Sequence, residues 1–429
     1  FSAMYLLRLL KPWWPPLLLG SLLVAYMANN MTWFGPYGGP IGYLLLIAGL
    51  LAWLWRQPTS IFYLGRTQPN PQLLGTWLAG AALGMLLVVG LVAANPLDVA
   101  KGDIVLVVQV YVQRLLAGDV VYQMVTVGPN NVYEAGYLLF HWLPFVPAEL
   151  LGIDYRIAAF CYFQLALLVA GFRLLGGLPG RWPLVLMVAT QVVVLLLIRL
   201  NPNVHIYTIE PLIYGYYLLL LVWGLGSNRW LAVLAFLLCL LSRYSLVFWV
   251  PAALVVVLRL HGWRHTLWVF GLTLVGLAVF FLLFLVHDPL VVLRSLQSYT
   301  TATVNEWTYN TSGGRPVHLY FGRGLALYFY EWGNGSILAR IQSLQTVHLL
   351  VTATSGLLLA LGAFFVPRNK LYGYGLLGLA VYHALFLSFL QLPYSYLFGT
   401  NFWWCWGLLL WAVRGKLTTG MMPVQARLR

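Results

Sequence analysis

Charged side chains are scarce in this chain, and acidic ones are the scarcest, with ten Asp and Glu among 429 residues. Only 8% of the residues are charged, whereas 61% are hydrophobic and the mean hydropathy is +0.83. A chain of this composition has too little polar surface for a water-soluble globule. The sequence therefore predicts an all-α polytopic membrane protein.

Cysteine is rare as well, and its placement argues against two kinds of site. Cys161, Cys239 and Cys405 fall in apolar stretches without close spacing, so neither a disulfide framework nor a zinc site is indicated. The basic residues are scattered in twos over many linkers, which gives no support to nucleic-acid binding. No fixed-period repeat, Ser- or Gly-rich linker or nucleotide-binding glycine loop is visible. We therefore expect one integral-membrane domain over residues 1–429, without a cofactor.

Long apolar stretches predict the membrane crossings, because a helix needs ~20 apolar residues to span the hydrocarbon. Ten full crossings are predicted near residues 15–34, 41–55, 74–94, 157–173, 183–199, 209–226, 265–286, 346–366, 371–391 and 397–413. The stretch 230–258 is apolar except at 242–245, so it forms either one long helix or two short ones meeting at a polar turn. The stretch 136–151 contains two prolines, His141 and Glu149, which favours an interfacial or re-entrant segment on the outer side.

Short basic linkers decide between these alternatives, because Lys and Arg are enriched in short cytoplasmic loops. If 230–258 forms two crossings, the linkers 171–183, 226–230, 259–265 and 367–370 all face the side that holds both chain ends. The prediction is then twelve crossings with cytoplasmic ends, and all ten acidic residues lie outside or at outer helix ends. The net charge of +14 is mostly a signal of orientation.

This topology divides the domain into four parts. An N-terminal helical hairpin (1–73) precedes a core (74–286), a second outer loop (287–345) and C-terminal helices (346–429). The two long polar segments, 95–156 and 287–345, face outward, and function is expected there. The second is rich in aromatic residues, which either stack on sugar rings or anchor the loop in a membrane-interface belt. Its aromatic residues include Trp307, Tyr309, Tyr320, Tyr328, Tyr330 and Trp332.

Three charged residues follow the third predicted crossing within a turn or two of the membrane surface: Asp98, Lys101 and Asp103. A carboxylate at this depth is partly desolvated, which raises its pKa and suits it to deprotonating a hydroxyl. The alternative is that these acids cap a short surface helix, which we expect to end at Gly118.

Two arginines break the positive-inside pattern. Arg199 ends the fifth predicted crossing, and Arg243 lies in the polar turn of 230–258. A guanidinium at membrane depth is costly unless it pairs or faces a wet cavity, and phosphate is a natural partner because it accepts bidentate hydrogen bonds. The alternative is a structural ion pair with Glu210 or Asp154.

The predicted outer turn 201–211 holds His205 and Glu210, and a membrane-level glutamate is a functional candidate. These two side chains are also a weak candidate for a metal site. Asp154 and Arg156 begin the fourth predicted crossing, where a helix cap with a local ion pair is expected, although Arg156 is also placed to reach a lipid headgroup.

The order of these parts resembles integral-membrane glycosyltransferases of the GT-C class, most closely bacterial polyprenyl-phosphate-sugar-dependent mannosyltransferase-like proteins. The resemblance covers roughly 102–260. It is carried by Lys101-Gly-Asp103-Ile, a surface helix, Leu-Leu-Ala-Gly118-Asp-Val-Val-Tyr122, Tyr137-Leu-Leu-Phe-His-Trp-Leu-Pro144-Phe, Leu-Leu-Gly152-Ile-Asp154-Tyr-Arg156 and Leu240-Leu-Ser-Arg243-Tyr244-Ser. The chain departs from the class at Val132-Tyr-Glu134-Ala-Gly136, where many relatives carry Tyr-Pro-Pro, and in its added N-terminal hairpin.

The resemblance implies an enzyme that transfers a sugar from a polyprenyl-phosphate donor. The acceptor is a glycan, lipid or protein on the periplasmic side of the bacterial inner membrane. Whether partner subunits are present is left open by the sequence. By position Asp103 is the catalytic base. Cations at membrane depth stabilise the leaving phosphate, and the candidates are Arg243, Arg199, Arg156 and Lys101. The substrate cavity is expected to include Asp98, Tyr122, His205, Glu210 and Tyr244.

Two other functions remain open. A transporter or lipid flippase commonly shows matching interrupted helices from internal repeats, whereas the interruption at Arg243 has no visible counterpart. A non-catalytic subunit that keeps the fold as a scaffold is the other alternative, because fold does not imply function.

Overall fold

The computed structural model describes residues 14–29, 34–57, 71–98, 102–127, 131–309 and 311–420. This part of the chain is 80% helical with almost no sheet. The all-α class is therefore confirmed. Lys101 lies outside the described residues.

The N-terminal hairpin is formed by α1 (Trp14–Asn29) and α2 (Gly35–Trp55). It packs against the C-terminal helices, with α2 against residues 368–388 and α1 against residues 399–420. α2 also approaches the second polar segment very closely, since a Cβ on Gly39 would lie 2.3 Å from the carbonyl oxygen of Gly322. A side chain at this position would push the two backbones apart.

After α3 (Pro71–Ala94), the first polar segment begins with α4 (Ile104–Ala117). Gly118 ends α4 in a left-handed conformation with φ 75°, as the sequence predicts. A short antiparallel hairpin follows, β1 (Val125–Val127) with β2 (Asn131–Tyr133). The stretch 136–151 folds as two helical turns, α5 (Leu139–Trp142) and α6 (Val146–Leu150), joined by a 3-10 turn over Leu143–Phe145.

The central helices carry most of the buried surface. They are α7 (Tyr155–Leu175), α8 (Trp182–Leu200), the single turn α9 (Asn203–Ile206), α10 (Glu210–Trp223), α11 (Arg229–Leu240), α12 (Val250–His261) and α13 (Trp263–Phe280), which continues as a π-helix over Phe281–Leu285. α10 packs against α7 and α11. The stretch 230–258 is broken as predicted, because α11 ends at Leu240 and a 3-10 helix over Tyr244–Trp249 leads into α12.

The second polar segment is more helical than the sequence analysis expected. It contains α14 (Val291–Thr308), the two-residue strands β3 (Thr311–Ser312) and β4 (Arg315–Pro316), a 3-10 turn over Val317–Tyr320, and α15 (Ala326–Trp332). α16 (Ile337–Phe365) begins inside this segment. α17 (Arg368–Ser388), a 3-10 turn over Ser395–Phe398 and α18 (Gly399–Gly420) complete the described chain.

Eight helices within the described residues are long and apolar enough to cross a membrane. They are Gly35–Trp55, Pro71–Ala94, Tyr155–Leu175, Trp182–Leu200, Tyr244–His261, Trp263–Leu285, Ile337–Phe365 and Arg368–Ser388. The remaining four predicted crossings coincide with α1, α10 and α11, which are shorter apolar helices, and with α18. The chain is a multi-pass membrane protein.

Candidate functional site

Glu210 and Arg243 form an ion pair between the first residue of α10 and the turn that ends α11. Arg243 Nη2 donates to Glu210 Oε1. The Glu210 side chain is fully buried, whereas the side chain of Arg243 is 25% exposed. The pairing that the sequence analysis held as an alternative for Arg243 therefore exists.

This ion pair leaves much of its hydrogen-bonding capacity unused. Arg243 Nε and Glu210 Oε2 are both buried without a partner. A guanidinium has five N–H donors, and among the described residues only one of those of Arg243 makes a hydrogen bond. Buried polar atoms without partners are rare in folded proteins. The pair therefore keeps hydrogen-bonding capacity that no described residue uses.

Aromatic side chains surround the guanidinium on several sides, and we call this arrangement the Arg243 recess. The rings that interact electrostatically with Arg243 come from the first polar segment, α10, α14, α17 and the turn before α18: Tyr137, His141, Tyr214, Tyr217, Tyr299, His383 and Tyr396. The Arg243 side chain remains 25% exposed among these neighbours. Two neighbouring aromatic side chains are partly exposed as well: Tyr244, which follows Arg243 in the chain, at 37%, and Tyr299 at 38%.

The first polar segment is fastened over the turn that carries Arg243. The backbone N–H of Phe140 donates to the carbonyl oxygen of Leu241 at 2.7 Å, and Tyr216 Oη donates to the carbonyl oxygen of Phe140 at 3.0 Å. Tyr244 Oη donates to the carbonyl oxygen of Gly136 at 2.8 Å. These bonds place residues 136–141 beside the guanidinium, which explains why Tyr137 and His141 are among its neighbours.

Asp103 lies at the residue before α4 and is half-buried. Its carboxylate makes no helix-capping hydrogen bond, nor any hydrogen bond or ion pair with another described residue. Burial raises the pKa of the Tyr137 phenol, and the negative charge of Asp103 raises it further, while Arg243 lowers it. Asp103 and Arg243 therefore act on the same phenol from two parts of the chain.

The loop before Asp103 packs on the turn before Glu210. A Cβ on Gly102 would lie 3.0 Å from Cβ of Tyr207, so the two loops are in close contact. The carbonyl oxygen of Asp98 accepts from the backbone N–H of Gly102 at 3.1 Å, which closes the turn leading to Asp103. The structure brings Asp103 toward the recess and leaves Asp98 in the supporting turn.

Arg156 has a different environment. Its Nε and Nη2 donate to the two oxygens of Asp154 at 2.9 and 2.7 Å, and its Nη1 donates to the carbonyl oxygens of Asn95 and Ile206 at 2.8 and 2.9 Å. Asp154 also caps α7 by accepting from the backbone N–H of Arg156. The predicted cap with a local ion pair is present, and the guanidinium joins three segments of the chain.

Arg199 is exposed in the last turn of α8. Its helix packs against α3, α1 and α7, and nothing within the described ranges places its side chain at the Arg243 recess. Arg199 is predicted together with Arg243 as a phosphate ligand, but the structure does not bring these two side chains together within the described residues.

His205 is buried with its Nδ1 unpartnered, and its ring meets that of Phe160 edge-on with centroids 5.7 Å apart. It lines a small void of about 30 Å³ together with Asn201, Tyr214 and Trp403. No group of three or more His, Cys, Asp or Glu side chains in the described part of the chain is arranged to hold a metal ion.

The two remaining predicted cavity residues are Tyr244 and Tyr122. Tyr244 is partly exposed and follows Arg243 in the chain. Tyr122 is buried, and its Oη donates to the carbonyl oxygen of Tyr137 at 2.8 Å and accepts from Trp142 Nε1 at 3.0 Å. Tyr122 therefore supports the position of Tyr137 from behind.

Several residues of the Arg243 recess are not among the site residues predicted from the sequence. His141 is buried and stacks on Tyr137 with ring centroids 4.5 Å apart. Tyr217 stacks on His383 at 4.8 Å and shares a hydrogen bond of 2.7 Å with Ser245. His141 and His383 could have been found from the sequence, because each is a histidine in an apolar stretch. The tyrosines of the recess have no such distinguishing feature in the sequence.

A buried arginine of the second polar segment was missed as well. Arg323 is fully buried and donates to the carbonyl oxygens of Tyr26, Met27 and Ser395 at 3.0 to 3.3 Å. Its guanidinium lies 5.3 Å from the ring centroid of Tyr26. Arg323 therefore ties the N-terminal hairpin to the turn before α18.

Comparison of the chain with protein-family models, curated proteins and solved structures finds no match in any of the three. Function must therefore be argued from the site itself.

Proposed function

We propose that the Arg243 recess binds the phosphate of a polyprenyl-phosphate-sugar donor and that the protein transfers this sugar to an acceptor hydroxyl. The observation that carries the proposal is the guanidinium of Arg243, set in an aromatic recess with most of its N–H donors unused. Phosphate oxygens match those donors, and aromatic rings such as Tyr137 and Tyr299 suit a sugar face.

The reaction follows from the positions of two groups. The acceptor oxygen forms a bond to the anomeric carbon while the bond from that carbon to the phosphate oxygen breaks, and both electrons of that bond leave with the polyprenyl phosphate. Asp103 takes the acceptor proton, and Arg243 stabilises the charge that develops on the phosphate. The carboxylate of Asp103 and most donors of Arg243 are not used by other described residues, which suits these roles.

The proposal includes an orientation. Twelve crossings with both ends in the cytoplasm put the recess and both polar segments on the periplasmic side of a bacterial inner membrane, where a lipid-linked donor reaches the site from the bilayer. The basic linkers support this orientation. The acceptor is a glycan, lipid or protein, and partner subunits are compatible with the site.

Transfer of labelled sugar from a panel of polyprenyl-phosphate-sugars tests the activity. Purified protein should transfer at least one of these sugars, and Arg243→Ala should weaken donor binding because a desolvated phosphate loses its paired charge. Arg264→Ala, which removes an exposed arginine from the first turn of α13, is the matched control and should behave as wild type. Absence of transfer from every donor would reject the enzyme and favour the scaffold.

Cysteine labelling tests the orientation. In a protein whose native cysteines are replaced, single cysteines at Ser60 and Ser336 should label from opposite sides of sealed vesicles. Ser60 lies outside the described residues, and Ser336 is exposed before α16. Labelling of both positions from one side would contradict the twelve-crossing topology.

A further inference from the structure

We propose that Glu210 is an internal counter-ion that the substrate phosphate displaces from Arg243, and that Glu210 takes up a proton when it is displaced. This inference rests on the proposed function, because it assumes that a phosphate binds at Arg243. It adds a role for Glu210 that differs from that of a fixed support for the arginine.

The way in which Glu210 is held carries the argument. Its side chain is fully buried; within the described part of the chain its Oε1 is held only by Arg243 Nη2, and its Oε2 has no partner. Asp154 shows what a fixed support looks like, since both of its oxygens accept from Arg156 and it also caps α7. Glu210 is thus attached by one contact that can be exchanged.

The charges around the recess are unfavourable for a phosphate as long as Glu210 is ionised. Among the described residues, Arg243 brings one positive charge to the recess, while Glu210 and Asp103 bring two negative ones. The other titratable groups facing Glu210 are the phenols of Tyr137, Tyr214 and Tyr396, which are neutral at ordinary pH. An incoming anion therefore competes with Glu210 for Arg243.

Proton uptake follows from the cost of an unpaired buried charge. An isolated ionised carboxylate in a protein interior is destabilised by several kcal/mol or more, so it takes a proton when its cation is lost. Among the described residues Glu210 has no second cation to replace Arg243, and it accepts no other side-chain hydrogen bond. Binding of the phosphate should therefore be coupled to uptake of about one proton, and affinity should fall up to about tenfold per unit increase in pH.

A phosphodiester that does not titrate near neutral pH isolates this effect. Binding of farnesyl methyl phosphate to detergent-solubilised protein is measured by calorimetry over a series of pH values and in two buffers of different ionisation enthalpy. Wild-type protein should bind more weakly as the pH rises and should take up about one proton. Glu210→Gln should bind about tenfold more tightly than wild type at the alkaline end, with little pH dependence, because the competing charge is gone.

The outcomes separate this inference from the proposed function. If wild-type protein binds the probe, Arg243→Ala abolishes binding and Glu210→Gln binds more weakly than wild type, Glu210 supports Arg243 and the inference is wrong, while the proposed function stands. If wild-type protein does not bind the probe, or binds it equally well with Arg243→Ala, the proposed function fails.

Two further measurements cover the remaining cases. Proton uptake by wild-type protein needs no variant, so it tests the inference even if Glu210→Gln does not fold, and an uptake of zero overturns it. Asp103→Asn should retain the proton uptake. Loss of the uptake in that variant would assign the proton to Asp103 and would also overturn the inference.

Discussion

Two arginines at helix ends, Arg156 and Arg243, differ in how their hydrogen-bond donors are used. Arg156 is 3% exposed and bonds Asp154, two residues away, and two backbone carbonyls. Among the residues that the structure describes, Arg243 bonds only Glu210, 33 residues away, and its buried Nε has no partner. The difference indicates that Arg156 stabilises the fold, whereas Arg243 is available to a ligand. Burial of a cation alone does not distinguish the two roles.

The largest expected effect is a loss of turnover when the proposed catalytic base, Asp103, is changed. Asp103→Asn keeps the shape of the side chain and removes the proton acceptor, so turnover should fall by about 10² to 10⁴ with donor binding largely kept. Asp98→Asn, in the supporting turn, is the matched control. Full turnover in Asp103→Asn together with loss in Asp98→Asn would remove Asp103 as the base.

Arg156→Ala tests the structural side. It would leave Asp154 and two carbonyl groups without their donor, and breaking a buried ion pair costs about 3–5 kcal/mol. We expect a marked loss of thermal stability in detergent. Arg243→Ala should lose donor binding with a smaller loss of stability, because Glu210 can take up a proton when its cation is removed, whereas the carbonyl groups that Arg156 bonds cannot. If the two variants behaved alike, the comparison would fail.

The sequence predicted the helical framework well where apolar runs are long. The break within 230–258 and the glycine end of α4 are both confirmed, because each depends on residues that act locally. The helices α14 and α15 were missed, since they lie in a polar segment and lack a long apolar run. The hairpin of β3 and β4 is too short to produce an alternating pattern.

The site was predictable only in part, for a related reason. Arg243, Glu210 and Asp103 stood out because each is a charge in an apolar chain. Their aromatic neighbours belong to a chain with 26 tyrosines, so no single tyrosine was distinctive. Tyr137, Tyr217 and Tyr396 became identifiable only when packing brought three distant segments to one guanidinium.

A smaller effect is expected from His141 in the Arg243 recess, on how the stability of the fold depends on pH. Burial, and to a lesser extent the positive charge of Arg243, lowers the pKa of His141 to about 3. The unfolded chain protonates this residue near pH 6.5 while the folded protein does not, so its contribution to stability is present above about pH 6.5 and is lost as the pH falls toward 3.

His141→Phe tests this prediction, because it keeps a ring against Tyr137 and removes the titrating group. The melting temperature of wild type should fall more steeply between pH 7.5 and 5 than that of the variant, where only the other groups titrate. Equal slopes would show that the folded protein protonates His141 as readily as the unfolded chain does.

The smallest effect is expected where a charged pair is open to solvent. Arg294 on α14 is 44% exposed and bonds Asp288, and its Nε lies 3.7 Å from Glu134 in the first polar segment. Water and salt screen such contacts, and holding long side chains in one geometry costs entropy, so exposed ion pairs contribute little. Arg294→Ala should therefore melt at a temperature close to that of wild type, at low and at high salt alike. A loss of stability as large as that of Arg156→Ala would mean that bridging the two polar segments matters more than burial, and the distinction drawn between Arg156 and the exposed cations would no longer hold.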